Sequence, residues 1–193
     1  MFNSAPSVMI YDISLRAIGL VVGTALLVAH VVALAMPEKV SAWLKVFPRS
    51  RPAGLFLCSF AALWAFWLAA TMDLGEFSPQ RLLICGVILA GAIMVPMFAE
   101  EFLAVRALGI LALLAAEPLL GAAFLRPEQS RLVLVLLAFL WATAGLIMVG
   151  APYLLRDAVD WITAARWRYL LVAGSGAAYG LVLIALSLLF YGA

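Results

Sequence analysis

Six runs of mostly apolar residues, 13–36, 53–72, 81–99, 102–125, 131–151 and 169–191, occupy most of the chain. Each is close to the ~20 residues a helix needs to cross the hydrocarbon core of a bilayer. The breaks between them carry turn chemistry: DLGEFSPQ (73–80) and RPEQS (126–130) are short, polar and contain Pro. The tightest is AEE (99–101). This pattern predicts an all-α integral membrane protein of about six transmembrane helices, arranged as three helical hairpins. No link is long enough to fold by itself, so residues 1–193 are expected to be a single membrane domain, with any activity inside the membrane or at its surface.

Two links are more than turns. In PEKVSAWLKVFPRSR, Val40, Leu44 and Phe47 recur at the spacing of one helix face, with Trp43 beside them and Lys39 and Lys45 off the stripe. In PYLLRDAVDWITAARWR, Leu155, Val159 and Ile162 do the same, flanked by Trp161, Trp167, Arg156, Arg166 and Arg168. Such segments are predicted to lie as interfacial amphipathic helices, apolar side toward the acyl chains and basic side toward anionic headgroups.

Three prolines, Pro37, Pro96 and Pro152, follow apolar runs at separations of 59 and 56 residues (96 − 37 and 152 − 96). They suggest repeat units over 13–72, 81–125 and 131–191, related by an axis along the membrane normal. Threefold repetition of helix pairs is a feature of mitochondrial carriers. Their acidic-then-basic signature after each proline is absent here, since Pro96 is followed by Met97 and Phe98, so the chain is not assigned to that family.

Composition sharpens the class. Apolar residues make up 67% of the chain and charged ones 11%, with mean hydropathy +1.17. Soluble domains are nearer half apolar and a quarter charged, so lipid must be part of this chain's solvent. A net charge of +2, dispersed along the chain, gives no reason to expect a nucleic-acid partner. Residues 1–12 lack the basic region and cleavage site of a secretory leader, so the first apolar run is expected to remain as an anchor.

Basic residues set an expected orientation. Lys39, Lys45, Arg49, Arg51, Arg106, Arg156, Arg166 and Arg168 fall on one face, and Arg16, Arg81, Arg126 and Arg131 on the other. The positive-inside bias places the first set in the cytoplasm and both termini outside, in the inner membrane if the cell is bacterial.

Candidate chemistry is sparse. Glu117 stands out within LALLAAEPLLGAAF, because an ionisable group in hydrocarbon is costly and marks a contact or a pathway. Pro118 beside it removes a backbone donor. His30, the only histidine, lies late in the first run and reads as a hydrogen-bonded side chain; bis-histidine haem or a histidine-rich zinc site is excluded within one chain. Glu100, Glu101 and Arg106 group where the fourth span begins, as an ion network or, more sharply, a gate or carboxylate clamp. Asp12 and Arg16 have the spacing of a local helix pair.

Gly19 with Gly23, and Gly176 with Gly180, form GxxxG spacings that let helix backbones approach closely. Trp64 and Trp67 lie too deep for the interfacial belt and are expected to pack on a neighbouring helix. Cys58 and Cys85 start consecutive antiparallel spans and should be free thiols near opposite membrane faces. No GxSxG, HExxH, Walker A or CxxC motif is present.

These features point away from an enzyme, with a lipid-modifying activity ranking third. They favour a structural or accessory subunit of a larger membrane complex, without cofactor or metal, in contact with the lipid bilayer, bound lipid and other membrane subunits. The alternative is a small-solute or proton-coupled carrier in which Glu117 titrates.

Overall fold

The computed structural model describes residues 11, 13–98 and 101–191. Asp12 and Glu100 lie outside this set, as do their expected pairings. The described chain is all-α. Its helices are α1 (Leu15–Ala35), α2 (Pro37–Val46), α3 (Arg51–Thr71), α4 (Arg81–Phe98), α5 (Leu103–Ala123), α6 (Arg131–Gly150), α7 (Tyr153–Thr163) and α8 (Arg166–Leu189). Six of these, α1, α3, α4, α5, α6 and α8, are long and apolar enough to cross a bilayer. Among the described residues the fold is that of an all-α, eight-helix protein with six candidate membrane-spanning helices, consistent with membrane residence.

Local chemistry sets the helix ends. Ser14 caps α1 by accepting from Ala17 N–H (3.2 Å), and Ser50 caps α3 by accepting from Ala53 N–H (3.4 Å). Pro37 opens α2, and Pro52 lies in the first turn of α3, where a missing N–H costs nothing. Pro152 precedes α7, but Pro96 sits inside α4, near its end. The three prolines that align in the sequence thus occupy two different structural positions. Arg81 donates to the carbonyls of Ala70 and Met72, and Arg131 to that of Ala123 (2.8 Å). Each guanidinium closes the C-terminus of the preceding span, where carbonyls are unsatisfied and the helix dipole favours a cation.

The most extensive helix contacts are α1 with α8, α5 with α6, α3 with α5, and α3 with α4. Close packing therefore runs mainly between the sequence units 13–72, 81–125 and 131–191, with α1 and α8 bringing the two ends of the chain together. One core joins α1, α5, α6 and α8 through Leu15, Ile18, Val22, Ala116, Leu119, Leu134, Leu137 and Leu183. A smaller cluster of Cys58, Leu103 and Ala107 joins α3 to α5. Helix α4 has no buried residue and stands at the edge of the bundle against α3.

The α1–α8 contact explains both GxxxG spacings. A Cβ on Gly180 would lie 2.7 Å from Leu27 N and 2.8 Å from Gly23 O, and one on Gly23 would lie 3.0 Å from Gly180 O. Gly19 faces Ser187, and Gly176 faces the imidazole of His30. A second close approach joins α5 to α6: a Cβ on Gly109 would lie 2.8 Å from Gly145 O, and one on Gly145 2.7 Å from Gly109 O. Only small residues permit such backbone contact.

Candidate functional site

The links at the basic end of the bundle fold back onto it. Helices α2 and α7 pack on each other, and the 3-10 turn Phe47–Arg49 packs on α5. The two amphipathic segments are helical, and their apolar stripes converge. Leu44, Phe47, Leu155 and Val159 share one apolar cavity of about 410 Å³ with Trp43, Pro48, Ala53, Phe56, Leu57 and Leu108. Its roof comes from α2 and α7 and its floor from α3 and α5. Phe47 and Pro48 are buried, and the Trp43 and Phe47 rings lie 5.0 Å apart, which fixes the turn that carries Arg49.

Alongside lies a polar cavity of about 500 Å³ lined by Arg49, Glu101, Phe102 and Arg156. Arg49 and Pro48 are consecutive, as are Arg156 and Leu155, so both the turn and α7 border the polar and the apolar cavity at once. Asp157 Oδ1 accepts from Arg156 Nε (2.9 Å) and Nη2 (2.7 Å). That exposed pair contributes little stability but orients the guanidinium, which stands 5.9 Å from the Phe102 ring centroid. Phe102 has φ 57° and ψ 28°, left-handed values that a bulky residue rarely adopts and that cost on the order of 1–2 kcal/mol. This turn separates Glu101 from α5. Among the described residues Glu101 and Arg106 form no ion pair, and Arg106 Nε is buried without a hydrogen-bond partner. Glu101 instead lines the cavity with Arg49 and Arg156.

The other candidates lie elsewhere. His30 donates from Nδ1 to Leu26 O (2.7 Å) and lies against Gly176. Glu117 lies on α5 between buried Ala116 and Pro118, yet its own side chain is exposed on the flank of the bundle. Among the described residues it has no hydrogen-bond or ion-pair partner; its Oε1 would be 3.9 Å from a Cβ on Gly121, one turn away. Glu117 is thus remote in sequence and setting from the Arg49–Arg156 cavity. Trp64 Nε1 donates to Tyr11 Oη (2.5 Å), and Trp67 packs 5.7 Å from the Tyr11 ring. Cys58 and Cys85 are free thiols. No group of three or more His, Cys, Asp or Glu side chains is placed to hold a metal ion among the described residues.

Sequence reading missed Arg49, Phe102 and Arg156 as site partners, because they come from three separate links with no shared spacing. The one available signal was that basic residues adjoin both amphipathic stripes. No protein-family model, curated protein or solved structure matches this chain.

Proposed function

We propose that this chain is a non-enzymatic structural or accessory subunit of a larger membrane complex. The observation that carries the reading is Glu117: a carboxyl group on the outer flank of a spanning helix, with no partner among the described residues. It lies six residues from the end of α5 at Ala123, about 9 Å at the rise of an α-helix. An ionised carboxylate in mid-membrane costs about 3 kcal/mol on insertion scales. A neighbouring transmembrane helix that donates a hydrogen bond to Glu117 offsets that cost, and Gly121 one turn away leaves room for it. The edge helix α4, with no fully buried residue, adds further surface for such a neighbour. A carrier would need Glu117 on an internal water path, and its outward position favours the subunit reading.

Gentle solubilisation followed by mass determination and partner identification tests this. The native particle should exceed one chain in mass and contain a defined second protein. Glu117→Gln, which keeps the hydrogen bonding of the neutral acid, should preserve it; Glu117→Leu should shed the partner while leaving the lone chain folded. A Glu117→Gln protein that assembles normally but fails proton-linked uptake would overturn the reading in favour of the carrier.

A further inference from the structure

The paired cavities at the basic end have the layout of an amphiphile site. We infer that they bind one phospholipid whose headgroup joins a phosphate to a primary ammonium, with the phosphate at Arg49 and Arg156, the ammonium at Glu101, and an acyl chain in the apolar cavity. The inference does not depend on the subunit reading, since either a subunit or a carrier can hold a lipid here.

Charge complementarity identifies the occupant. Two guanidiniums and one carboxylate line the polar cavity, and neither Arg49 nor Glu101 has a partner among the described residues. Guanidinium presents parallel N–H donors that suit phosphate oxygens. Arg156 gives one N–H from Nε and one from Nη2 to Asp157, so both N–H groups of Nη1 and the second of Nη2 are left for phosphate. A purely anionic headgroup would leave Glu101 facing negative charge, whereas a primary ammonium supplies three donors to it. A quaternary ammonium supplies none.

Size and placement agree. A cavity of about 500 Å³ lies within the range of small-molecule sites, and the adjoining cavity of about 410 Å³ is lined by apolar residues alone. Consecutive residues, Pro48 with Arg49 and Leu155 with Arg156, line the apolar and the polar cavity respectively, so a single lipid that bridges these steps has its headgroup beside the arginines and its chain among residues of α2, α7, α3 and α5. The left-handed Phe102 fits this arrangement: strained backbone persists where surrounding structure holds it, and here it sets an aromatic ring beside the Arg156 guanidinium.

The test is native mass spectrometry of the full chain, delipidated in mild detergent and offered phosphatidylethanolamine, phosphatidylcholine and phosphatidylglycerol at equal concentration. Phosphatidylethanolamine should be retained best. Arg49→Gln and Arg156→Gln should each weaken it roughly tenfold, the scale of one hydrogen bond to a charged group. Glu101→Gln should abolish the preference over phosphatidylglycerol while leaving phosphate binding. Soluble phosphoethanolamine, with no chain for the apolar cavity, should fail to displace the lipid at equal concentration. Helix content and thermal unfolding of each variant should match the parent, and Arg49→Lys should recover part of the binding. Equal retention of all three lipids, or a preference that survives Glu101→Gln in a folded protein, overturns the proposal.

Discussion

Glycine shows how single residues set the packing of this bundle, because two glycines of one helix have opposite surroundings. Gly180 on α8 meets the backbone of α1, and a Cβ there would lie 2.7 Å from Leu27 N and 2.8 Å from Gly23 O. Backbone cannot move aside as a flexible side chain would, so the helices must separate. At Gly174, on the same helix, a Cβ would meet nothing within 4 Å. Gly180→Ala should therefore destabilise the chain by about 1–3 kcal/mol, the usual cost of overfilling a packed contact. Gly174→Ala should be neutral or slightly stabilising, since alanine is the better helix former by about 1 kcal/mol. Thermal unfolding of both variants in one detergent checks the contrast, and equal melting temperatures would remove the α1–α8 backbone contact as the cause. Leu125 offers a second test of backbone fit. It follows α5 with φ 54°, where glycine is the usual residue. Leu125→Gly should raise stability by about 1 kcal/mol, read from the same melts.

At the scale of elements, the spans were legible in the sequence and their pairing was not. Apolar runs of the right length foretell helices within two or three residues, as for 131–151 and α6 (Arg131–Gly150). In a membrane, however, a leucine facing lipid and one facing a helix look alike, so hydropathy says little about neighbours. The GxxxG spacings of α1 and α8 were readable because each repeats within one helix. Gly109 and Gly145 were not, because each helix brings a single glycine to the contact. The amphipathic stripes of α2 and α7 were also visible, but not that they face one cavity, because their register depends on how α3 and α5 stand beneath them. Arg81 illustrates the same limit. Counted as an external charge, it proves to be the C-terminal cap of α3 through Ala70 and Met72. Arg81→Gln should loosen that end by about 1 kcal/mol, the net worth of a typical hydrogen bond. Amide exchange should quicken in the last turn of α3 and remain unchanged in α1; uniform protection would show the cap to be dispensable.

For the molecule as a whole, the placement of charge ties orientation to fold. The basic end gathers α2, α7, the Phe47–Arg49 turn and the first turns of α3 and α8, which together carry Lys39, Lys45, Arg49, Arg51, Arg156, Arg166 and Arg168. At the opposite end Arg81 and Arg131 are held against carbonyls of α3 and α5, so part of that smaller basic set is already engaged with helix termini. Arg168 is also engaged, with its guanidinium 4.4 Å from the Trp161 ring centroid and 5.4 Å from that of Trp167, a pairing suited to the headgroup layer. The positive-inside bias counts charges near span ends, and by that count the basic end is expected to face the cytoplasm. Reporter fusions within 49–52 should therefore behave as cytoplasmic and fusions within 73–80 as external. Replacing Arg81 and Arg131 together by alanine should weaken two helix ends yet keep this orientation, because it widens the charge difference. Replacing Arg49, Arg51, Arg166 and Arg168 together by glutamine should give molecules of mixed orientation, because it removes half of the larger set. An external signal at 49–52 with a cytoplasmic one at 73–80 in the parent chain would reverse the assignment and place the Arg49–Arg156 cavity in the outer leaflet.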